Sequence, residues 1–234
     1  MDLYRRGTET LIASWEAYAR AAAGRAHVHR SPGVAAAVFP DEPERGIYNN
    51  VIVEDASALD EMEATYAAAR VTRFAVWVHD GDDALRAAVE ARGYVFDSAT
   101  RAMALELADL PPEPSPIDVA PLDWPGYLTM FELPPALLAG GMDDFRLLAA
   151  RVDGADVAAA MAFDHEGDCG IYNVGTLEPF RRRGLATALT AVLLRDAVAR
   201  GCLTASIQAT PMAEGVYASL GFRDLGRYLE YTPQ

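Results

Sequence analysis

The fold of this 234-residue chain is decided by residues 176–186, which read Thr-Leu-Glu-Pro-Phe-Arg-Arg-Arg-Gly-Leu-Ala. The apolar run from Ile171 to Leu177 is typical of a strand, and Pro179 stops it. Three arginines and Gly184 follow, and an amphipathic helix is predicted from Leu185. The stretch therefore predicts a strand, a basic turn and a helix N-terminus in direct succession.

This succession favours an anionic ligand, and we call residues 181–187 the cradle. The N–H groups of a first helical turn have no acceptor within the helix, and the macrodipole adds about half a positive charge there. Gly184 allows close approach to the backbone, and Ala186 is small enough not to block it. A charge-assisted hydrogen bond to phosphate contributes about 1.5–3 kcal/mol. We therefore expect the cradle to hold a pyrophosphate without a metal.

Two motifs in the expected order resemble the GNAT acyltransferase superfamily. Arg181-x-x-Gly184-x-Ala186 is similar to the Arg/Gln-x-x-Gly-x-Gly/Ala motif of that family. Downstream, the segment 217–222, Tyr-Ala-Ser-Leu-Gly-Phe, resembles the Tyr-x-x-Leu-Gly-Phe segment of the last GNAT helix. The resemblance covers the region from about Leu147 to Pro233. It implies an α/β (α+β) fold with a mixed, mostly antiparallel twisted sheet flanked by helices.

A weak internal repeat predicts two tandem halves of this kind. Residues 46–54 align with 170–178, and residues 91–97 align with 219–224 with one residue inserted. The proline-rich segment 110–116 cannot extend a flanking helix or strand and is interpreted as a linker. We therefore predict one GNAT-like half at 1–110 and an acyl-CoA-binding half at 111–234. Each half is expected to close its own sheet, through the alternating stretches 101–107 and 227–231.

The first half lacks the residues that would bind the donor. Where the second half has 181–186, the first has residues 55–60, Asp-Ala-Ser-Ala-Leu-Asp, which are acidic and contain no glycine. Val89 stands where the second half has Tyr217. We predict a non-catalytic first half that serves as a scaffold or as one wall of the acceptor site.

The resemblance implies transfer of an acetyl group from acetyl-CoA, a co-substrate, to an amine by direct attack in a ternary complex. It places the pantetheine arm on Val174, Gly175 and Thr176, and the pyrophosphate on the N–H groups of Arg182 to Thr187. Thr210 stands where the family usually has asparagine, so it can supply one hydrogen bond rather than an amide's donor–acceptor pair. The residues implied to bind the donor are Val174, Gly175, Thr176, Arg181, Arg182, Arg183, Gly184, Leu185, Ala186, Thr187 and Thr210.

Tyr217 matches the family tyrosine that protonates the departing thiolate. A phenol with a pKa of about 10 is protonated at neutral pH and can pass its proton to a nascent thiolate. The alternative is a tyrosine that only packs against the core, and Gly175 likewise could be an ordinary strand glycine. No general base is distinguished by the sequence; the candidates are Glu132, Asp143, Asp144, Tyr172, Asn173 and Glu178.

The amino-acid composition restricts the classes of binding partner that this chain is expected to have. The net charge of −14 argues against nucleic acid, which needs a basic face. The same charge suits a cationic amine, although general solubility explains it equally well. No apolar run approaches the ~20 residues that span a bilayer, and the start lacks a secretory signal, so we expect no membrane partner and a cytoplasmic location. Cys169 and Cys202 are expected to be reduced core residues.

We expect no metal site. His27 and His29 lack a third ligand nearby, and the acidic run 80–83 lacks the spacing of a calcium loop. Four further matters stay open: the acceptor, which could be a small molecule or a peptide N-terminus; the acyl chain length; a homodimer; and the role of residues 133–141 as an acceptor gate or a plain helix pair. The main alternative to an N-acetyltransferase is a non-catalytic CoA-binding sensor or partner module.

Overall fold

The computed structural model describes residues 2–43, 48–112, 116–131 and 142–234. Their helices are α1 (Leu3–Ala21), α2 (Leu59–Ala69), α3 (Asp83–Ala91), α4 (Trp124–Met130), α5 (Leu185–Arg200) and α6 (Glu214–Ser219). Their strands are β1 (His27–Ser31), β2 (Val34–Val38), β3 (Asn50–Val53), β4 (Ala75–His79), β5 (Val95–Glu106), β6 (Asp118–Pro121), β7 (Phe145–Val152), β8 (Ala155–His165), β9 (Asp168–Thr176), β10 (Thr204–Ala209) and β11 (Arg223–Thr232).

The described residues form two compact units. The C-terminal unit takes its described residues from within 2–14, 102–131 and 142–225, and the N-terminal unit from within 15–101 and 226–234. The division of the sequence into halves at 1–110 and 111–234 stays a prediction, because the units mix segments from both halves.

The C-terminal unit contains a six-stranded sheet in the order β5-β10-β9-β8-β7-β6. Strands β6 to β9 pair antiparallel in sequence, and β9 pairs parallel with β10. Helix α5 packs against this sheet through its apolar side, which includes Leu189, Leu193 and Leu194, all fully buried. A mixed, mostly antiparallel sheet flanked by helices was predicted and is confirmed.

The N-terminal unit repeats this pattern of pairings with the order β1-β2-β3-β4-β11. Its parallel pair is β3 with β4, which are flanked by antiparallel partners on both sides. Helices α2 and α3 bury Met62, Tyr66 and Val89 against one face of the sheet. The shared strand order agrees with the predicted tandem repeat, which remains a prediction.

The closing strands differ from the expectation. Residues Ala102–Glu106 of β5 lie in the C-terminal unit beside β10, and residues Gly226–Thr232 of β11 lie in the N-terminal unit beside β4. Each half therefore supplies the last strand of the other half's sheet. An alternating apolar pattern specifies which face of a strand is buried, but it does not specify the neighbouring strand.

A buried carboxylate joins β9 to β10 where the two strands begin. The side chain of Asp168 is 1% exposed and accepts hydrogen bonds from Thr204 Oγ1 and Ser206 Oγ, each at 2.6 Å. Because hydrogen bonds to charged groups contribute about 1.5–3 kcal/mol each, these bonds stabilise the parallel pair.

We expect Asp168→Ala to lower the free energy of unfolding by about 2–3 kcal/mol, since it leaves two buried hydroxyls without their acceptor. Urea unfolding followed by circular dichroism measures this loss. Asp83→Ala is the control, because Asp83 is 81% exposed and forms an i,i+3 ion pair with Arg86. That exposed pair contributes less than about 1 kcal/mol. Equal losses in the two variants would contradict the role given to Asp168.

Candidate active site

The strands β9 and β10 separate at the middle of the C-terminal unit. Their parallel register runs only from Asp168–Thr204 to Gly170–Ser206, although β9 continues to Thr176 and β10 to Ala209. Beyond Gly170, the described residues of these strands have no further paired register. The sheet therefore opens between them, and the edge of β9 that faces β10 is left for another binding partner.

A β-bulge lies on β9 just inside this opening. Between the pairs Met161–Tyr172 and Ala159–Gly175, β8 has one residue whereas β9 has Asn173 and Val174. Asn173 adopts a left-handed backbone with φ of 51°, which asparagine tolerates better than most residues. A glycine within a strand often marks a bulge, which would indicate Gly175, but the extra residue is at 173–174.

The strand after the bulge directs backbone groups into the opening. Leu177 N–H donates to Val157 O of β8 at 2.9 Å. Because successive residues of a strand point their backbone groups to opposite sides, the N–H groups of Thr176 and Val174 point away from β8. Two of the three residues assigned to the pantetheine arm thus present hydrogen-bonding groups to the opening.

Gly175, the third of these residues, contacts an aromatic ring. A Cβ built at Gly175 would lie 2.6 Å from Cε1 and Cζ of Phe131. A side chain at position 175 would therefore have to displace the ring of Phe131, which follows α4, so glycine is favoured here. Phe131 was not predicted as a site residue from the sequence; the spacing of the aromatic residues at 124, 127 and 131, which places them on one helix face, was the signal that could have indicated it.

The turn between β9 and α5 is held by two left-handed residues. Arg182 has φ of 63° and Gly184, the N-cap of α5, has φ of 76°. The first intrahelical bond of α5 runs from Ala188 N–H to Gly184 O at 3.0 Å. The N–H groups of Leu185, Ala186 and Thr187 therefore precede the helical ladder.

No side chain caps the N-terminus of α5, a feature that it shares with α2 and α6, whereas α1, α3 and α4 receive a carboxylate there. Asp82 accepts from Leu85 N–H at 2.9 Å at the start of α3, and Asp123 accepts from Gly126 N–H at 2.7 Å at the start of α4. At α1, Asp2 accepts from Arg5 N–H. At α5 the corresponding position is Gly184, which has no side chain. The positive end of the α5 dipole is therefore not neutralised by a carboxylate from the chain itself.

The three cradle arginines are exposed and surround this helix start. Arg181 Nε donates to Thr176 O at 3.1 Å, and the guanidinium of Arg183 lies 5.6 Å from the centre of the Phe180 ring. Arg181 thus fastens the turn to the end of β9. The guanidinium groups add positive charge beside the unoccupied helical N–H donors.

Tyr217 lies on α6, which follows β10. Its side chain is 4% exposed and its ring packs edge-on against Phe222. Burial raises the pKa of Tyr217 well above the ordinary value of a phenol. Its hydroxyl makes no hydrogen bond to the described residues. The group is therefore a protonated donor across the physiological pH range.

The remaining predicted residues have less defined surroundings. Thr210 is exposed at the end of β10, and its carbonyl accepts from Ala213 N–H at 2.8 Å. Glu178, Asp143 and Asp144 are exposed carboxylates, and Tyr172 is half-buried. Glu132 and the segment 133–141 lie outside the described residues. All described donor-site candidates fall in the C-terminal unit, but none of the base candidates is distinguished by its geometry.

The corresponding turn of the N-terminal unit carries its own anion. Asp55 accepts hydrogen bonds from Ser57 N–H at 2.7 Å and from Ser57 Oγ at 2.5 Å. Both bonds lower the pKa of Asp55 and keep the carboxylate charged, and the bond from the Ser57 hydroxyl has the larger effect. Strand β3 pairs with β4 from Asn50–Ala75 to Ile52–Trp77, over almost its whole length. Strands β3 and β4 therefore do not separate along their described residues in the way that β9 and β10 do.

The cysteines and histidines considered above do not form a second reactive or metal-binding site among the described residues. Cys169 and Cys202 are buried free thiols, and burial raises the pKa of Cys202 to about 11. His29 Nε2 lies 2.9 Å from a carboxylate oxygen of Glu61. The described residues contain no group of three or more metal-ligating His, Cys, Asp or Glu side chains. Among them, no helix is both long and apolar enough to cross a membrane.

A comparison with known protein families identifies the region that contains this site. Residues 116–222 match the model of the acetyltransferase (GNAT) family. None of the curated proteins is significantly similar to the chain.

Solved structures resemble the chain over most of its length. A GCN5-related N-acetyltransferase from Kribbella flavida superposes with a TM-score of 0.67 at 17% sequence identity. The match covers 95% of this chain and 95% of that chain. One from Sphaerobacter thermophilus has a TM-score of 0.58 at 16% identity, with 94% of this chain and 92% of that chain covered. A tandem GNAT protein from the clavulanic acid biosynthesis pathway has a TM-score of 0.60 at 14% identity, with coverages of 87% and 80%. At these identities the likeness establishes a shared fold.

Proposed function

Because residues 116–222 match the model of the acetyltransferase (GNAT) family, we propose that this chain transfers an acetyl group from acetyl-CoA to an amine within a ternary complex. The observation that carries the proposal is the start of α5, which has no carboxylate cap and is surrounded by three arginines. It stands at the end of the opening between β9 and β10. A long donor that carries a pyrophosphate needs both features: an anion site and an open strand edge leading from it.

The donor's parts are assigned in order along the chain. The pyrophosphate binds the N–H groups of residues 182–187 together with Arg181 and Arg183. The arm then follows β9 backwards, where the N–H group of Thr176 and the N–H and C=O groups of Val174 serve as partners in the manner of an added strand. The thioester end reaches the bulge at Asn173. Thr210, at the end of β10, is assigned one hydrogen bond to the arm.

Tyr217 is assigned the role of general acid. The nitrogen of the neutral amine forms a bond to the thioester carbon and then loses one proton to water, while the carbon–sulfur bond breaks and the sulfur takes the phenolic proton. Solvent then returns a proton to the phenolate. An amine with a pKa of about 10 must lose a proton before it attacks, at a cost of roughly 4 kcal/mol at pH 7. That proton leaves through water, since none of the exposed carboxylates is set apart as its acceptor.

The acceptor is proposed to be a primary amine on a small molecule or at a peptide N-terminus. The net charge of −14 favours cationic acceptors such as polyamines or aminoglycosides by electrostatic steering. The two free thiols favour a reducing compartment, and hence the cytoplasm.

Calorimetry and turnover together test the proposed function. Isothermal titration with CoA and with acetyl-CoA is expected to show binding, and free thiol is expected to be released when an amine from a panel is added. Binding without release for any amine would favour a CoA-binding module. Absence of heat with either ligand would overturn the proposal.

We expect one donor molecule to bind per chain. In the N-terminal unit, the Asp55 carboxylate occupies the N–H group of Ser57 and would repel a pyrophosphate. Titration with CoA should therefore give a stoichiometry near one. Asp55→Ala should leave that number unchanged, because the turn would still lack arginines and an open strand edge. A stoichiometry near two in either protein would contradict the non-catalytic role of the first half.

A further inference from the structure

Helix α4 is anchored to the C-terminal unit at its start. The N–H group of Leu122, just before the helix, donates to Leu147 O of β7 at 3.0 Å. Asp123 caps the helix, because its side chain accepts from Gly126 N–H at 2.7 Å. Tyr127, in the middle of the helix, is 6% exposed. A short helix that is held in this way keeps its side chains in fixed positions against a neighbouring strand.

Three aromatic side chains lie on one side of α4 and its C-cap. The Trp124 and Tyr127 rings are stacked, with centres 5.1 Å apart and planes inclined by 6°. The Tyr127 and Phe131 rings follow at 4.9 Å and 53°. Each ring supports the next one, and the last two rings belong to the residues that contact β9.

Tyr127 contacts β9 at the bulge. Its hydroxyl donates to the main-chain oxygen of Asn173 at 3.4 Å, and Asn173 is the residue with the left-handed backbone. This distance between the two oxygen atoms exceeds the usual range of about 2.5–3.0 Å. The hydroxyl therefore contributes little by itself, and the buried ring that carries it provides most of the support.

Phe131 contacts β9 two residues later. Its ring atoms Cε1 and Cζ lie 2.6 Å from the position that a Cβ of Gly175 would occupy. The ring thus rests on the main chain of Gly175. The two aromatic contacts, at Asn173 and at Gly175, therefore lie on either side of Val174.

Val174 lies in the part of β9 that the sheet supports least. It belongs to the bulge, where β9 has one residue more than β8, and such an extra residue interrupts the ladder of hydrogen bonds. On the other side of β9, the described register with β10 ends at Gly170. A fixed position of Val174 therefore depends on contacts from outside the sheet.

Resting on the proposed function, we propose that Tyr127 and Phe131 are positioning residues that hold Val174 so that its N–H and C=O groups meet the donor's arm. Tyr127 fixes the main chain just before Val174, and Phe131 fixes it just after. Neither side chain has to touch the reacting atoms. The hydrogen-bonding groups of Val174 are then in place before the donor arrives, which lowers the entropic cost of binding the arm.

The test compares acetyl-CoA with the nucleotide half of CoA, which ends at the pyrophosphate and has no arm. Phe131→Leu and Tyr127→Leu each remove a ring, and each should weaken acetyl-CoA binding by about tenfold, since the bonds to Val174 lose their alignment. The affinity for the nucleotide half, which reaches only the cradle, should stay unchanged. Tyr127→Phe removes only the long hydroxyl bond and should weaken acetyl-CoA binding by no more than about threefold. Titration calorimetry measures these affinities.

Steady-state kinetics gives a second measurement. The KM for acetyl-CoA should rise by about tenfold in the two leucine variants, while kcat at saturating donor should change by less than about threefold, because the arm is bound equally in the ground state and the transition state. Thr129→Ala is the matched control on α4. Thr129 is exposed, and its hydroxyl donates to Pro125 O of the same helix at 2.8 Å. This control should keep the affinities and the KM of the unaltered protein.

The outcomes separate this inference from the proposed function. If CoA binds and acetyl transfer occurs, but the leucine variants bind acetyl-CoA as tightly as the unaltered protein, the inference is wrong and the proposed function stands. The same holds if these variants lose affinity equally for acetyl-CoA and for the nucleotide half. If CoA does not bind the unaltered protein, both are overturned. Thermal unfolding by circular dichroism shows whether each variant is folded, and Phe131→Met or Tyr127→Met replaces a leucine variant that is not.

Discussion

Replacing Tyr217 by phenylalanine is expected to lower kcat by about 100-fold and to leave the dissociation constant for CoA unchanged. The substitution keeps the ring that packs against Phe222 and removes only the hydroxyl. Without that proton donor, the departing sulfur leaves as a bare thiolate, and the lost stabilisation amounts to about 2.7 kcal/mol in the barrier. Steady-state thiol release and calorimetry with CoA measure the two quantities.

The matched control for Tyr217→Phe is Tyr66→Phe. Tyr66 is also buried, and its hydroxyl donates to Ala37 O within the N-terminal unit. That variant should lose stability but keep kcat at 25 °C. Because burial raises the pKa of Tyr217, the hydroxyl stays protonated beyond the ordinary phenol value of about 10. The rate should therefore show no decline from ionisation of this group between pH 8 and 10. Unchanged turnover in Tyr217→Phe would exclude the acid role.

Replacing Gly184 by aspartate is expected to weaken CoA binding by about 100-fold, or about 3 kcal/mol. The carboxylate would lie beside the first turn of α5, where its negative charge would repel the pyrophosphate. Titration calorimetry at two salt concentrations measures the loss. The difference from the unaltered protein should narrow at high salt, because screening weakens charge repulsion.

Gly184→Asn isolates the contribution of charge. Asparagine tolerates the left-handed backbone of this position about as well as aspartate and has almost the same size. It carries no charge, so its effect should be limited to about tenfold from the added side chain. If both variants bind CoA as tightly as the unaltered protein, the helix start is not the pyrophosphate site.

The strand, turn and helix around the cradle could be predicted from the sequence because all their signals are local. The helix predicted over 185–200 coincides with α5, which ends at Gly201 in a left-handed conformation with φ of 95°. From the sequence alone the last helix is predicted over 211–220, but α6 begins at Glu214, so the predicted start is wrong. Thr210 O accepts hydrogen bonds from the N–H groups of Ala213 and Glu214, and the resulting turn delays α6 until Glu214.

Features that depend on distant segments could not be predicted. The extra residue at Asn173–Val174 follows from the register against β8, and a single strand's sequence does not define that register. The preference for glycine at 175 follows from Phe131, which lies 44 positions earlier in the chain. The short strands β1 and β6 were missed because four or five residues give little periodicity to detect.

The placement of the two closing strands has a consequence for dissecting this protein. A fragment cut at the proline-rich segment would contain β4 without β11, and the complementary fragment would contain β10 without β5. Each fragment would then expose a row of unsatisfied main-chain groups on an apolar strand, which promotes aggregation. Neither piece is a self-sufficient module. Soluble material is expected only when both pieces are produced together, so that each completes the other, as in split-protein complementation.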